Sequence, residues 1–382
     1  MRICAPSRFT SFPFFFILFS FFIQNVCLAK PMNVIDKCWR QDTNWRNHRQ
    51  RLARCSVGFA GKMTNNIGKG TIRYIVTDPG DDPLSPQPGT LRYGTLIEGK
   101  TWITFRKNMK IKLQKVLLIS SYTTLDGRGV DVHIEGNACL VIYKASNVII
   151  HGIQIHHCKA QGPGLVMGPR GMIMPLGPMD GDAIGVVNAS KVWIDHNTLY
   201  SCDDGLLDVT GGSKNVTISN NWFKNQEGVM LLGHDDSYLR DQQMKVTIVL
   251  NRFRPNCNQR MPRVRYGYAH VVNNLYQGWK QYAIGGSMHP IIKSESNDFI
   301  APQSGNKKVV TWRKGVDRNS KPWTFYSVND LFENGAYFKS TGKNGSVPSY
   351  NNEQKFHIAK AKIVKTLTSS AGALKCSKAL TC

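Results

Sequence analysis

Acidic residues are scarce in this sequence, which has 25 Asp and Glu against 49 Lys and Arg and a formal net charge of +24. Beyond the first thirty residues it lacks any run of about 18 apolar residues, which excludes a membrane-spanning helix from the rest of the chain. Paired ligands at the spacing of a zinc site are missing as well. We therefore interpret His156-His157-Cys158 and His234-Asp235-Asp236 as ordinary surface or disulfide segments.

The N-terminus has the features of a secretory signal peptide. Arg2 and Arg8 precede a mostly apolar run from Phe12 to Val26, which ends at Cys27-Leu28-Ala29. This arrangement predicts a signal peptide over residues 1–29 and a mature chain, 30–382, that forms one domain. We expect a secreted, extracellular protein with no membrane span after cleavage.

The excess of positive charge predicts an acidic partner. Because residues 1–29 contain two arginines and no acidic residue, the net charge of the mature chain is still +22. A secreted protein meets few nucleic acids, whereas a plant cell wall contains polygalacturonate, an acidic polymer that such a field attracts. Charge alone does not select the polyanion, and a basic surface that serves only solubility or wall retention is the alternative.

Eight cysteines remain after removal of the signal peptide, as suits an exported chain. Eight cysteines permit 105 pairings. Proximity in the sequence predicts that Cys38 pairs with Cys55, Cys139 with Cys158, and Cys376 with Cys382. No pairing is predicted for the other two, which are Cys202 and Cys257.

A repeat organises the middle of the chain. Five segments share an Asn that is followed two residues later by a large apolar residue, with mostly apolar residues three and five positions before it. The Asn residues are spaced by 24, 30, 23 and 23 residues, about one coil of a β-solenoid. They are Asn197, Asn221, Asn251, Asn274 and Asn297. Alternating apolar residues supply an inward face, and stacked Asn side chains can satisfy backbone groups at a tight corner.

The repeat predicts an all-β fold, a right-handed parallel β-helix, from about Ile72 to Ile300. An N-terminal lid is expected in the region 38–60, where Asn44–Val57 places Trp45, His48, Leu52 and Cys55 on one helical face. Gly- and Pro-rich stretches predict loops at 78–89 and 162–178. The C-terminal tail, about 344–382, has no clear pattern.

Aspartates recur one coil apart. Asp180 and Asp182 precede one strand of the repeat, and Asp204 and Asp208 lie in the next coil. Asp180 and Asp204 are 24 residues apart, and the even offset from Asp204 to Asp208 preserves the direction of the side chain. Taken singly, Asp-Gly pairs are typical of turns. In this register, the oxygen-rich group predicts a site for a hard cation such as Ca²⁺.

A basic segment follows two coils later, in Gln259–Arg265. Arg260 and Arg265 are available there to an acidic sugar, because a guanidinium matches a carboxylate with two hydrogen bonds. A lone basic run is usually a solvated surface. Its position on the same solenoid as the aspartates favours a shared substrate groove.

These segments resemble the pectate lyases, and in particular the plant branch that includes conifer pollen allergens. The resemblance covers nearly the whole mature chain. The segments that carry it are Cys38–Arg40, Leu125–Gly129, Asp180–Ile184, Val192–Asn197, Asp204–Asp208, Val216–Asn221, Val229–His234, Gln259–Arg263 and Tyr282–Gly286.

The resemblance implies specific roles. Asp180, Asp204 and Asp208 ligate Ca²⁺ with help from Asp182, and Arg260 is the catalytic base. Two further arginines, Arg263 and Arg265, bind the substrate. The implied reaction is a β-elimination in polygalacturonate that consumes no water and leaves a 4,5-unsaturated uronide. We expect the protein to be a monomer.

One departure from the family leaves a second function open. Gly228 stands where relatives often carry a substrate-binding lysine, and Lys224 is a candidate replacement. A wall protein that binds pectate with little cleavage is therefore the alternative. A hydrolase on a similar solenoid would need a carboxylic acid where this chain has arginines. Three sequons, at Asn188, Asn215 and Asn344, are candidate glycosylation sites.

Overall fold

The computed structural model describes residues 31–305, 307–314, 324–342, 345–376 and 382. The predicted signal peptide and the sequon at Asn344 lie outside these residues. The chain winds through three parallel sheets, and successive coils add one strand to each sheet. The predicted parallel β-helix is confirmed.

The three sheets have ten, nine and eight strands. The ten-stranded sheet contains Ile72–Val76, Thr101–Phe105, Thr123–Asp126, Ser146–His151, Ser190–Asp195, Lys214–Ser219, Lys245–Val249, Tyr268–Val272, Ile291–Glu295 and Phe325–Val328. The nine-stranded sheet contains Met109–Leu113, Val132–Asn137, Gln154–Lys159, Thr198–Tyr200, Trp222–Lys224, Arg252–Phe253, Leu275–Gln277, Asp298–Ile300 and Leu331–Glu333. The eight-stranded sheet contains Leu117–Leu118, Leu140–Tyr143, Ile184–Val187, Leu207–Thr210, Met230–Leu232, Arg263–Val264, Ile284–Gly286 and Thr311–Arg313.

Smaller elements decorate the coils. The predicted loop at 162–178 contains an antiparallel hairpin of Gly164–Met167 and Ile173–Leu176. A two-stranded parallel sheet joins Gln226–Gly228 to Cys257–Gln259. The α-helices are Val34–Arg40, Leu91–Leu96 and Val364–Leu367. The 3₁₀-helices are Arg49–Arg54, Gly58–Ala60, Thr64–Asn66, Pro169–Gly171, Leu239–Gln243 and Ala361–Ile363.

An aromatic stack fills part of the interior. From Asn221 onward, the residues two positions after the repeated Asn point inward, as predicted, and their rings stack on one another and on Phe332 of the next coil, with centroids 4.6–5.7 Å apart. Such offset stacking adds to the free energy gained by burying the rings. The stacked residues are Phe223, Phe253, Tyr276, Phe299 and Phe332.

The repeated Asn residues form a ladder of buried hydrogen bonds at the corner between the ten- and nine-stranded sheets. Asn221 Oδ1 accepts from the backbone N–H of Asn197 at 2.9 Å and from its Nδ2 at 3.1 Å. The same pair of bonds recurs through Asn251, Asn274 and Asn297. The structural role predicted for these asparagines is confirmed.

The solenoid is one coil longer than predicted. Asn297 donates to Asp330 Oδ1, so an aspartate ends the ladder. Phe325–Val328 and Leu331–Glu333 pair with the preceding coil beyond the predicted end at Ile300. The predicted C-terminal end of the solenoid was wrong, because the ladder residue changes from Asn to Asp and the spacing from Asn297 to Asp330 rises to 33 residues.

Short helical segments lie along the flank of the ten-stranded sheet. Trp45, Leu52 and Cys55 are buried as predicted, but the predicted helix is only a 3₁₀-helix over Arg49–Arg54, and His48 is exposed. Backbone N–H groups of residues 59 and 60 donate to hydroxyls on the outer face of the sheet. Leu91, in a separate helix, joins the interior core at the first coils.

Disulfides follow the predicted pairing. The bonds are Cys38–Cys55, Cys139–Cys158 and Cys376–Cys382. Cys202 and Cys257 are free thiols. In the described part of the chain, no helix is both long and apolar enough to cross a bilayer.

Candidate functional site

The predicted aspartates meet at the corner between the nine- and eight-stranded sheets. Asp180 and Asp182 precede the strand Ile184–Val187, whose first residue pairs with Leu207 of the next coil. That register carries Asp204 beside them, and carboxylate oxygens of Asp180, Asp182 and Asp204 lie within 4.8 Å of one another. The predicted stacking of aspartates one coil apart is confirmed.

Asp208 completes the group from inside the strand. Its Oδ1 accepts from the backbone N–H of Leu231 at 3.2 Å, and Asp182 Oδ1 accepts from Gly205 N–H at 2.7 Å. A Cβ atom at residue 205 would lie 2.6 Å from Asp182 Oδ1 and 2.8 Å from Asp208 Oδ1. Gly205 therefore leaves the space in which the two carboxylates approach each other.

Crowding changes the protonation of these carboxylates. Burial, with the charges of Asp180 and Asp204, raises the pKa of Asp182 to about 7. Burial and the neighbouring carboxylates also raise the pKa of Asp204, and raise that of Asp208 well above its usual value. A site with this excess of negative charge and only oxygen donors fits a hard divalent cation.

Arg260 faces the aspartate group. It precedes the strand Arg263–Val264, its carbonyl accepts from Met230 N–H at 2.7 Å, and its φ is 58°. Its positive charge offsets a small part of the rise in the pKa values of Asp182 and Asp204, so the guanidinium and the carboxylates share one side of the solenoid. Its Nε is buried and has no hydrogen-bond partner among the described residues.

The other two predicted arginines differ from each other. Arg263 lies over the Trp312 ring at 5.3 Å, and burial followed by the charge of Arg265 lowers the pKa of its guanidinium. Arg265 Nε donates to Asp236 Oδ1 at 3.0 Å, and its Nη1 donates to the Gly233 carbonyl. Arg265 thus already has a carboxylate partner.

Three residues near the site were not assigned a role from the sequence: Tyr282, Asp236 and Gly205. Tyr282 hydrogen-bonds to Arg260 and stacks on Trp312 at 5.1 Å. Tyr282 begins a matching family segment, so that segment was the available signal. Asp236, which pairs with Arg265, lies in the segment His234-Asp235-Asp236, which the sequence led us to interpret as ordinary surface. Gly205 sits inside the Asp204–Asp208 segment.

The departure at residue 228 lies beside the proposed base. A Cβ atom at Gly228 would lie 3.3 Å from Arg260 Cδ. Lys224 does not replace the missing lysine, because its Nζ lies over the Tyr200 and Trp222 rings of the nine-stranded sheet, at 4.3 and 4.6 Å. A side chain at residue 228 would contact Arg260, and this chain has none there.

Comparison with known proteins agrees with this geometry. Residues 106–376 match the pectate lyase family. The chain is 49% identical to pectate lyase 1 of Hesperocyparis arizonica over 89% of this chain and 93% of that one. It is 48% identical to probable pectate lyase 4 of Arabidopsis thaliana over 90% and 89% of the two chains. The crystal structure of Jun a 1, the major allergen from cedar pollen, matches with a TM-score of 0.87 at 47% identity, covering 90% of this chain and 99% of that one. The chain belongs to the pectate lyase family.

Proposed function

We propose that this protein is a secreted, calcium-dependent lyase that cleaves α-1,4-linked polygalacturonate in the plant cell wall by β-elimination. Its pectate lyase relatives support the substrate. The observation that carries the reaction type is the carboxylate cluster of Asp180, Asp182 and Asp204, with Asp208 beside it, which lies close enough to Arg260 for its charge to act on Asp182 and Asp204. The net charge of +22 of the mature chain favours binding of an acidic polymer.

The aspartates would hold the cation. The residues are Asp180, Asp182, Asp204 and Asp208, and their mutual repulsion is the physical reason for a cation there. Bound Ca²⁺ would draw charge from the substrate carboxylate and make the neighbouring C5 proton more acidic. Gly205 keeps space open among the carboxylates.

Arg260 would act as the base. It removes the proton from C5, the electron pair forms the C4–C5 double bond, and the bond from C4 to the glycosidic oxygen breaks. The departing oxygen gains a proton and becomes a hydroxyl, so no water is consumed. Arginine serves as a base only where neighbours disfavour its positive charge. Arg263 lies close enough to Arg260 for the charge of Arg260 to contribute to the lowered pKa of Arg263, and Arg263 and Arg265 would bind substrate carboxylates.

Pectate binding with weak cleavage is the second candidate function, and two observations favour it. Gly228 leaves no side chain beside Arg260. Arg265 is paired with Asp236, so a substrate carboxylate would compete with a carboxylate already in place.

Ultraviolet absorbance of the unsaturated product distinguishes the two functions. We expect absorbance to rise when the protein meets polygalacturonate with Ca²⁺ and to stop rising after addition of chelator. New reducing ends should appear in equal number to the double bonds. Reducing ends without absorbance would indicate a hydrolase, and retention on a pectate column without either product would indicate the binding protein.

A further inference from the structure

A second group of ligand atoms lies on the outer face of the nine-stranded sheet, away from the aspartates. There the strand Gln154–Lys159 pairs with Val132–Asn137, and the register shifts between Ile134 and Gly136. Two residues, His156 and His157, therefore oppose the single residue Glu135. This irregularity is a β-bulge, a feature that often redirects side chains at functional sites.

The bulge brings both imidazoles together. Neighbouring residues of a regular strand point to opposite faces. His157 instead has a φ of 51°, and its Nδ1 lies 2.7 Å from His156 Nδ1. Glu135 Oε2 lies 3.7 Å from His156 Nδ1. One ligand atom from each of these three residues falls within 4.8 Å of the others.

We propose that Glu135, His156 and His157 bind a divalent transition metal of the Zn²⁺ class. Imidazole nitrogens with one carboxylate are a ligand set that such ions prefer, whereas Ca²⁺ prefers oxygen donors alone. Two nitrogens bound to tetrahedral zinc are roughly 3.3 Å apart, given zinc–nitrogen bonds of about 2.0–2.1 Å. The two Nδ1 atoms are 2.7 Å apart, and His156 Nδ1 lies 3.7 Å from Glu135 Oε2, so small side-chain movements would bring all three ligand atoms to distances near that value.

The surroundings already orient the central ligand. His156 is 5% exposed, and its ring stacks on Tyr200 with centroids 4.6 Å apart. Its Nε2 lies 2.9 Å from His133 Nδ1, and His133 Nε2 lies 3.3 Å from Asp131 Oδ1. When His156 Nδ1 binds a metal, Nε2–H donates to His133 Nδ1, so His133 Nε2 carries a proton toward Asp131 and the amide nitrogen of Gln154, 3.0 Å away, must turn aside. Outer partners of this kind fix the tautomer of metal-binding histidines.

A competing contact leaves the Glu135 carboxylate available to a metal. Lys110 Nζ lies 3.0 Å from Glu135 Oε2, but this lysine side chain is 63% exposed. An exposed ion pair of this kind contributes little, so the lysine can turn to solvent.

Calorimetric titration of the full chain with Zn²⁺ tests the proposal. Excess Ca²⁺ is present to fill the aspartate site, so that failure of the proposed lyase function and failure of this site give separate results. We expect one Zn²⁺ per chain. His157→Asn removes an exposed ligand and should weaken binding by more than about 100-fold, the upper range for losing an outer partner. His133→Asn should weaken it by about 10- to 100-fold.

His48→Asn is the matched control, because His48 is an exposed histidine whose Nδ1 lies 2.8 Å from a single carboxylate, that of Asp42. This variant should bind Zn²⁺ as the wild type does. Circular dichroism checks folding, and Glu135→Gln replaces His157→Asn if the latter does not fold. Electron paramagnetic resonance of bound Cu²⁺ should show two coordinated nitrogens. Wild-type binding that survives both ligand substitutions, or no binding at all, would overturn the proposal.

Discussion

Two aspartates near the site show that the surroundings of a single carboxyl decide whether its pKa rises or falls. Asp182 sits among carboxylates, and its pKa is raised to about 7. Asp203, which adjoins the cluster residue Asp204 in the chain, accepts from Ala160 N–H and from Lys159, and these bonds lower its pKa. Spacing predicted three of the aspartates of the site, and the resemblance to pectate lyases added Asp182. The sequence could not show that the pKa of Asp182 is raised, because that shift depends mainly on the burial of the carboxyl in the fold.

Asp182→Asn should stabilise the calcium-free protein at alkaline pH. A carboxyl whose folded pKa is raised destabilises the fold as pH rises from about 3.8 through 7, because ionisation becomes costly. We expect the melting temperature of the variant to exceed that of the wild type at pH 8 and to match it near pH 4. Thermal melts with chelator measure this difference.

Asp203→Asn provides the control for that comparison. Its pKa is lowered, so its charge contributes stability above its ordinary pKa, and removing it should leave the melting temperature at pH 8 unchanged or slightly lower. Added Ca²⁺ should raise the melting temperature of this variant and the wild type alike, and that of Asp182→Asn by less. An equal response in all three proteins would contradict the assignment of Asp182 to the cation site.

Among the structural elements, the coil corners were the most predictable part of the fold. A period of about 23 residues with Asn at one position is visible in the sequence because the Asn side chain of each coil makes the same hydrogen bonds to the Asn of the neighbouring coil. The final coil escaped notice because Asp330 replaces Asn there. The bulge at His156 and His157 also escaped notice, since pairing with Glu135 depends on a register that sequence spacing does not reveal.

Asn251→Ala should destabilise the protein strongly. Asn251 is fully buried, its Oδ1 accepts from Asn221, and its Nδ2 donates to the Ile218 carbonyl at 2.9 Å. Losing these bonds leaves buried partners unsatisfied, at about 1–3 kcal/mol for each group. Chemical unfolding should therefore show a loss of about 2–4 kcal/mol.

Asn47→Ala is the control for the ladder, because Asn47 is exposed and its side chain donates to the nearby side chain of Asn44. Its free energy of unfolding should change by less than about 0.5 kcal/mol. Similar losses in the two variants would mean that the ladder adds nothing beyond a surface contact.

At the scale of the whole molecule, two terminal segments cover the outer face of one sheet, and the repeat pattern did not predict where they pack. Residues 31–66 and 345–376 both pack on the outer face of the ten-stranded sheet, where Asn273 Nδ2 donates to the Ala359 carbonyl at 2.8 Å. These segments have no period, so their sequence carried no signal of where they dock. A buried ionic group joins the N-terminal segment to the sheet. In it, His196 lies 2.8 Å from Asp195 and 3.0 Å from Asp36.

His196 predicts how stability depends on pH. Burial disfavours its charge, but Asp195 and Asp36 outweigh burial and raise its pKa to about 9. A histidine whose folded pKa is raised contributes stability that is complete below its unfolded value of about 6.5 and is lost as pH rises through 9. The stability difference between the wild type and His196→Gln should shrink by about 3 kcal/mol from pH 6 to pH 10. Unfolding measured at both pH values checks this, and a constant difference would show that His196 is neutral in the fold.

Arg260 is proposed to remove a proton from a uronate held beside the aspartates. The most direct test compares the rate of unsaturated product formation by Arg260→Lys with that of Arg252→Lys, whose arginine lies over Trp222 on the nine-stranded sheet. Loss of a general base costs about 100-fold or more. We predict that loss for Arg260→Lys with an unchanged melting temperature, and near wild-type rates for Arg252→Lys. Full activity in Arg260→Lys would contradict the role of Arg260 as the base.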